Sequence, residues 1–148
     1  MRTASAIALS LILAFPAQAA SRAPLKLDGA WRFASTVRDS KTFKPVCTET
    51  WTFSTGKMRV ESGEEVAEKQ FRTLRDRTGN WLATRAVSTN FMPDCTGNVS
   101  TAIDPAESRI YLLPMNGGDI MVCPPPARTA KGIPLIAECF GTLTRAGR

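Results

Sequence analysis

The stretch Cys47–Val60, CTETWTFSTGKMRV, decides the fold. Cys47, Glu49, Trp51 and Phe53 recur at every second position, and after Ser54-Thr55-Gly56 the rhythm resumes with Met58 and Val60. A period of two puts successive side chains on opposite faces of an extended chain, so the stretch reads as two strands joined by a tight turn and sharing one apolar face. The same rhythm continues on both sides. Trp31 and Phe33 share a face after the turn Asp28-Gly29. Beyond the break at Ser62-Gly63-Glu64-Glu65, residues from about Lys69 to Arg75 and from Trp81 to Val87 flank Asp76-Arg77-Thr78-Gly79-Asn80, a hairpin turn in which Gly79 is free to take positive φ. Arg109 to Leu113 and Asp119 to Cys123 flank Pro114-Met115-Asn116-Gly117-Gly118, and Asn-Gly is the strongest short turn signal in the chain. A last strand, about Leu135 to Arg145, follows the stiff Cys123-Pro124-Pro125-Pro126 segment. No helical stripe of three turns is found. The expectation is eight strands, with a weak ninth near Val99 to Ile103.

Consecutive strands on short turns form an antiparallel up-and-down meander. Its first and last strands pair antiparallel only when the number of strands is even, so eight strands close into a barrel and nine do not. Closure also removes the two sheet edges that invite aggregation. The Leu27-Asp28-Gly29-Ala30-Trp31 opening, the Trp51-Thr52-Phe53-x-x-Gly56 hairpin and the late Leu143-Thr144-Arg145 resemble small bacterial lipocalin-like domains of the calycin kind, over roughly Leu27 to Arg145. The resemblance implies a small-ligand carrier and gives Arg145 the place of a cation that covers the Trp. The predicted fold class is therefore all-β: an eight-stranded, lipocalin-like barrel with two disulfides.

The first twenty residues, MRTASAIALSLILAFPAQAA, have a basic Arg2, an apolar run from about Ala6 to Phe15, Pro16, and Ala17 and Ala19 around Gln18. That pattern predicts a secretory signal over 1–19, leaving a single domain over 20–148. The apolar run is too short for a permanent membrane anchor, which needs about 20 residues. Secretion, with a bacterial periplasm as the expected compartment, exposes all four cysteines to oxidation. Cys47, Cys95, Cys123 and Cys139 allow three pairings, and no C-x-x-C suggests a zinc ribbon or a redox dithiol. Strand parity favours Cys47–Cys95, both at the same barrel end, and Cys123–Cys139 across one loop.

The 148 residues contain no His, which excludes an imidazole base, a Ser-His-Asp triad and His-ligated metal. Ser-x-x-Lys, Gly-x-Ser-x-Gly and phosphate-loop motifs are missing as well, so no catalytic residue, metal or cofactor is expected. The net charge of +6 comes partly from Lys57, Arg59, Lys69, Arg72, Arg75 and Arg77 on neighbouring hairpins, a patch suited to an anionic envelope component though interrupted by Glu. Aromatics at core phase do not suit nucleic acid. Glu61, Glu64, Glu65 and Glu68 lack calcium-loop spacing and read as a solvated turn. Two charges lie in phase with inward aromatics: Glu49 with Trp51, and Arg85 with Trp81. These four residues form the expected ligand site at the barrel mouth, beside the loop Val37 to Val46. The expected function is a secreted, non-enzymatic binding protein for a small apolar or amphipathic ligand; the alternative is an inhibitor-like module, against proteases or lysozymes, that acts through its loops.

Overall fold

The computed structural model describes residues 23–131, 134–136 and 138–147; the predicted signal segment over 1–19 lies outside them. Among the described residues ten strands are formed: β1 Gly29–Ser35, β2 Thr48–Ser54, β3 Lys57–Ser62, β4 Glu65–Asp76, β5 Gly79–Thr89, β6 Ser108–Pro114, β7 Ile120–Cys123, β8 Ala127–Arg128, β9 Pro134–Leu135 and β10 Gly141–Arg145. Eight of them close an antiparallel barrel in the order β1-β10-β7-β6-β5-β4-β3-β2, while β8 and β9 pair only with each other. The barrel is the meander that parity requires, with β1 and β10 as the closing pair.

Two expectations about strands are corrected. The last barrel strand begins at Gly141, not Leu135, because Pro134–Leu135 pairs with Ala127–Arg128 inside the long Pro-rich connection. Val99 to Ile103 forms no strand; Val99 makes a single bridge to Pro93, and the segment otherwise runs as a loop.

The core is a column of inward side chains. Trp31, Phe33, Trp51, Phe53, Met58, Val60, Leu82, Leu112, Ile120, Val122 and Leu143 belong to one buried cluster. Phe33 stacks on Trp51 with ring centres 5.1 Å apart, and Phe53 meets Trp51 and Phe71 edge-on. Phe33 also lies directly over Gly141 on the inner wall, and any Cβ at Gly141 collides with that ring. Gly141 is thus the gap that admits a large aromatic into a narrow barrel.

One end of the barrel is sealed. Leu27 crosses it, fully buried, and accepts a hydrogen bond from Trp31 Nε1 on its carbonyl (2.7 Å). Arg145 lies over the Trp31 ring at 4.6 Å and donates to the Asp28 carbonyl (2.8 Å). The strand connections at this end are tight turns at Thr55-Gly56, Arg77-Thr78 and Met115–Asp119. Gly79 takes φ +137°, and Tyr111 crowds the position that its Cβ would occupy.

The other end carries the longer connections, residues 36–47, 90–107 and 124–140, with the short turn at Gly63-Glu64 between them. Cys47–Cys95 and Cys123–Cys139 are both bridged there, as strand parity predicts. Two disulfides are compatible with an extracellular or periplasmic protein.

Candidate functional site

Above the Trp51 ring the barrel is not filled. A cavity of about 350 Å³ opens at the unsealed end, bounded by β2, β3, β4, β5 and β6 and by the segment 100–106. Trp51, Val60, Ala67 and Ala86 supply apolar surface, and Glu49, Glu65, Lys69, Thr84, Thr89, Ser100 and Ser108 supply polar groups. The lining is mixed, with polar groups at least as numerous as apolar ones, and the volume falls within the roughly 300–1,000 Å³ usual for a small-molecule site.

Each polar group reaches the cavity by strand phase. Glu49 faces inward two residues before Trp51, as the sequence rhythm predicts. One of its oxygens accepts from Trp51 Nε1 and the other from Ser62 Oγ (3.0 Å), and the Cys95 N–H donates to the same hydroxyl (3.1 Å). Glu49 is therefore anchored by its own strand and by β3, whose Ser62 is held in turn by the disulfide-tied loop. Glu65 begins β4 and accepts from Thr89 Oγ1 (3.0 Å) and Ser100 Oγ (3.1 Å) on one oxygen. Lys69 pairs in register with Met58 and Ala86, whose side chains face the interior.

The predicted constellation Glu49, Trp51, Trp81 and Arg85 is only half assembled. Glu49 and Trp51 line the cavity. Trp81 and Arg85 do not: on β5 the fully buried Leu82 and the buried Thr84 face inward, so Trp81 and Arg85 stand on the outer surface, Arg85 exposed and Trp81 edge-on to Tyr111. The phase expected for β5 is thus off by one residue. Its outer face is apolar too, because Tyr111 and Cys123 are buried behind Trp81 in the adjoining strands, and a strand buried on both sides shows no clean alternation.

Sequence reasoning missed Glu65 and Lys69 by assigning them to an acidic turn and a basic patch. The signal that finds them is the alternation Glu65, Ala67, Lys69, Phe71, in which Ala67 and Phe71 pack on the core. The basic patch itself is divided: Arg59 is paired with Glu61 and Glu68, Arg72 with Glu107, and Lys69 faces the cavity. Among the described residues, Cys47, Glu49 and Cys95 bring ligand-type atoms together, yet both sulfurs are joined in a disulfide and offer no thiolate.

A larger hollow of about 800 Å³ runs along the outside of β10, β1, β2 and β3, where the exposed Arg32, Thr48, Thr50 and Glu61 are solvated strand faces. The interior cavity, with an aromatic floor, is the better site. Fold and site together define a closed antiparallel barrel that is sealed at one end and hollow at the other. Comparison with protein-family models, with curated proteins and with solved structures finds no match.

Proposed function

We propose that this chain is a non-enzymatic binding protein, exported to the periplasm or cell exterior, that holds one small amphipathic molecule in the open end of the barrel. The observation that carries the proposal is the cavity of about 350 Å³ beside Trp51, lined by both apolar and polar side chains. A barrel packed solid from end to end has no such space. The Arg145 guanidinium over Trp31, at 4.6 Å, supports kinship with lipocalin-like carriers, since it reproduces the cation-over-Trp closure that the sequence resemblance implies.

The test is titration of the purified protein with N-phenyl-1-naphthylamine, a neutral fluorophore that brightens in apolar surroundings. Saturable binding is expected, with affinity reduced when Ala86→Phe fills the cavity. Fluorescence that stays flat in the wild-type protein, at concentrations well beyond the micromolar range, sinks the proposal. Export is tested separately: the native mass should lack the residues up to Ala19.

One observation favours a second reading, recognition of another protein by the loops. Phe43 is 77% exposed, sits at φ +55°, and is held there by a turn in which Asp39 accepts from the Lys41 and Thr42 N–H groups. A rigid, exposed aromatic is a ready anchor for a partner's pocket. On this reading a hydrolase copurifies with the protein from its host and is lost with Phe43→Ser.

A further inference from the structure

Among the described residues the cavity wall holds one cation, Lys69, and none of them pairs with it. Among the described residues, the Lys69 ammonium enters no ion pair or hydrogen bond. Its place is fixed by register: Met58 on one side, Ala86 on the other, and Ala67 and Phe71 two positions away along β4, all on the inner face. Lys69 shares the cavity lining with Val60, Ala67 and Trp51, and the described residues offer its ammonium no acceptor.

The carboxylates of the same mouth are differently placed. Both Glu49 oxygens already accept, from Trp51 and Ser62; one Glu65 oxygen accepts twice, from Thr89 and Ser100; and Asp104 accepts from the Ala106 N–H (2.8 Å). Neutral donors belonging to the protein already hold at least one oxygen of each of these acids, whereas no described residue accepts from Lys69. An anionic ligand finds a free donor.

We infer that the ligand carries an anionic head, a carboxylate or a group of like charge, that pairs with Lys69 Nζ while its apolar body lies on Trp51, Val60 and Ala67. This inference rests on the reading of the cavity as a ligand site and adds the ligand's charge. A charge-assisted hydrogen bond in a half-enclosed site favours the anion over its neutral analogue by about tenfold or more.

Decanoate and 1-decanol, which differ in the head group, are competed against N-phenyl-1-naphthylamine at neutral pH. The expected result is displacement by decanoate at about a tenfold lower concentration than by decanol. Lys69→Met keeps the stem and removes the charge, so it should lose the preference for decanoate over decanol; Lys69→Arg should retain it. Equal competition by the two molecules in the wild-type protein overturns the inference while leaving the cavity reading intact, as does a preference that survives Lys69→Met. Failure of the wild-type protein to bind the fluorophore removes both.

Discussion

The two ends of this barrel are built from the same strands by opposite means. At the sealed end, tight turns join the strands, Leu27 and Arg145 lie across the opening, and the interior is filled by Trp31, Phe53 and Met58. At the open end, the longer connections carry most of the large apolar side chains that stand exposed among the described residues, including Val37, Phe43, Val46, Phe91, Met92 and Phe140. The inner wall there changes from aromatic to Ala, Thr, Ser and charge. Packing at one end supplies the stability that lets the other remain hollow, so a lesion at the sealed end should cost folding and a lesion at the open end should cost mainly recognition.

The largest expected effect is at the sealed end. Phe53→Ala deletes a fully buried ring that touches Trp51 and Phe71, and should lower the unfolding free energy by about 3–5 kcal/mol in urea denaturation. Val60→Ala, on the cavity wall, enlarges a space that already exists and should cost no more than about 1–2 kcal/mol. Equal costs at the two positions break the comparison.

The open end has no plug, and its loops are held by bonds between them. Thr36 donates its N–H to the Phe140 carbonyl (3.0 Å), Glu64 and Glu65 donate theirs to the Pro93 carbonyl (2.9 and 3.0 Å), and Cys47–Cys95 joins the first loop to the third. Replacing Cys47 and Cys95 together by Ala should therefore cost about 2–4 kcal/mol, measured by thermal or chaotrope unfolding, with the eight-stranded circular dichroism signature retained. Loss of the barrel signature in that variant means that the open end is needed for folding and not only for order at the mouth.

A smaller effect is expected at Glu49. In Glu49→Gln the amide oxygen can still accept from Trp51 Nε1, but its NH₂ then meets Ser62 Oγ as a second donor. The expected loss is about 1–3 kcal/mol. Because Arg85 points outward, that loss is independent of Arg85, and Arg85→Gln combined with Glu49→Gln should be additive. An affinity for N-phenyl-1-naphthylamine that falls further than stability does places Glu49 in contact with the ligand.

The smallest effect is a dependence on acid at the sealed end. The Thr78 hydroxyl, together with the backbone N–H groups of Thr78 and Gly79, holds the Asp76 carboxyl down at about 2, from an ordinary 3.8. A carboxyl lowered by folding stabilises the folded state at pH above its unfolded value, and the contribution fades as pH falls from about 4 towards 2. The Asp76 side chain is exposed and solvent screens its bonds, so the midpoint of acid unfolding should shift only slightly upward in Asp76→Asn. No change in that midpoint removes the Asp76–Thr78 turn from the stabilising features of the sealed end.

Strands β1 to β3 were legible because each has one wet face: in 47–60 every inward position is Cys, Glu, Trp, Phe, Met or Val and the positions between are polar. Parity of a closed meander then gave the disulfide pairs with no reference to the residues around them. Strand β5 misled because both of its faces are covered, so Trp81, Leu82, Ala83 and Thr84 carry no period. The candidate site suffered for a related reason. Lys69 reads as one of six cations on hairpins, and its inward phase shows only when the alternation Glu65, Ala67, Lys69, Phe71 is set in register with Met58 of β3 and Ala86 of β5. A local pattern reports which residues alternate; it does not report which face a neighbouring strand or loop will cover.

The closing pair β1 and β10 brings the two ends of the barrel strand sequence side by side: the Ala146 N–H donates to the Ala30 carbonyl (3.0 Å) at the sealed end. Anything joined near Gly147, such as a surface tether, an affinity handle or a second domain, is attached at the end of the barrel opposite the cavity. The molecule is thereby suited to being held by its base with its mouth facing outward, and the same adjacency of Ala146 and Ala30 makes a linker from Gly147 back to the start of β1, with new ends opened at the exposed Asn116-Gly117 turn, the circular permutation that disturbs the cavity least.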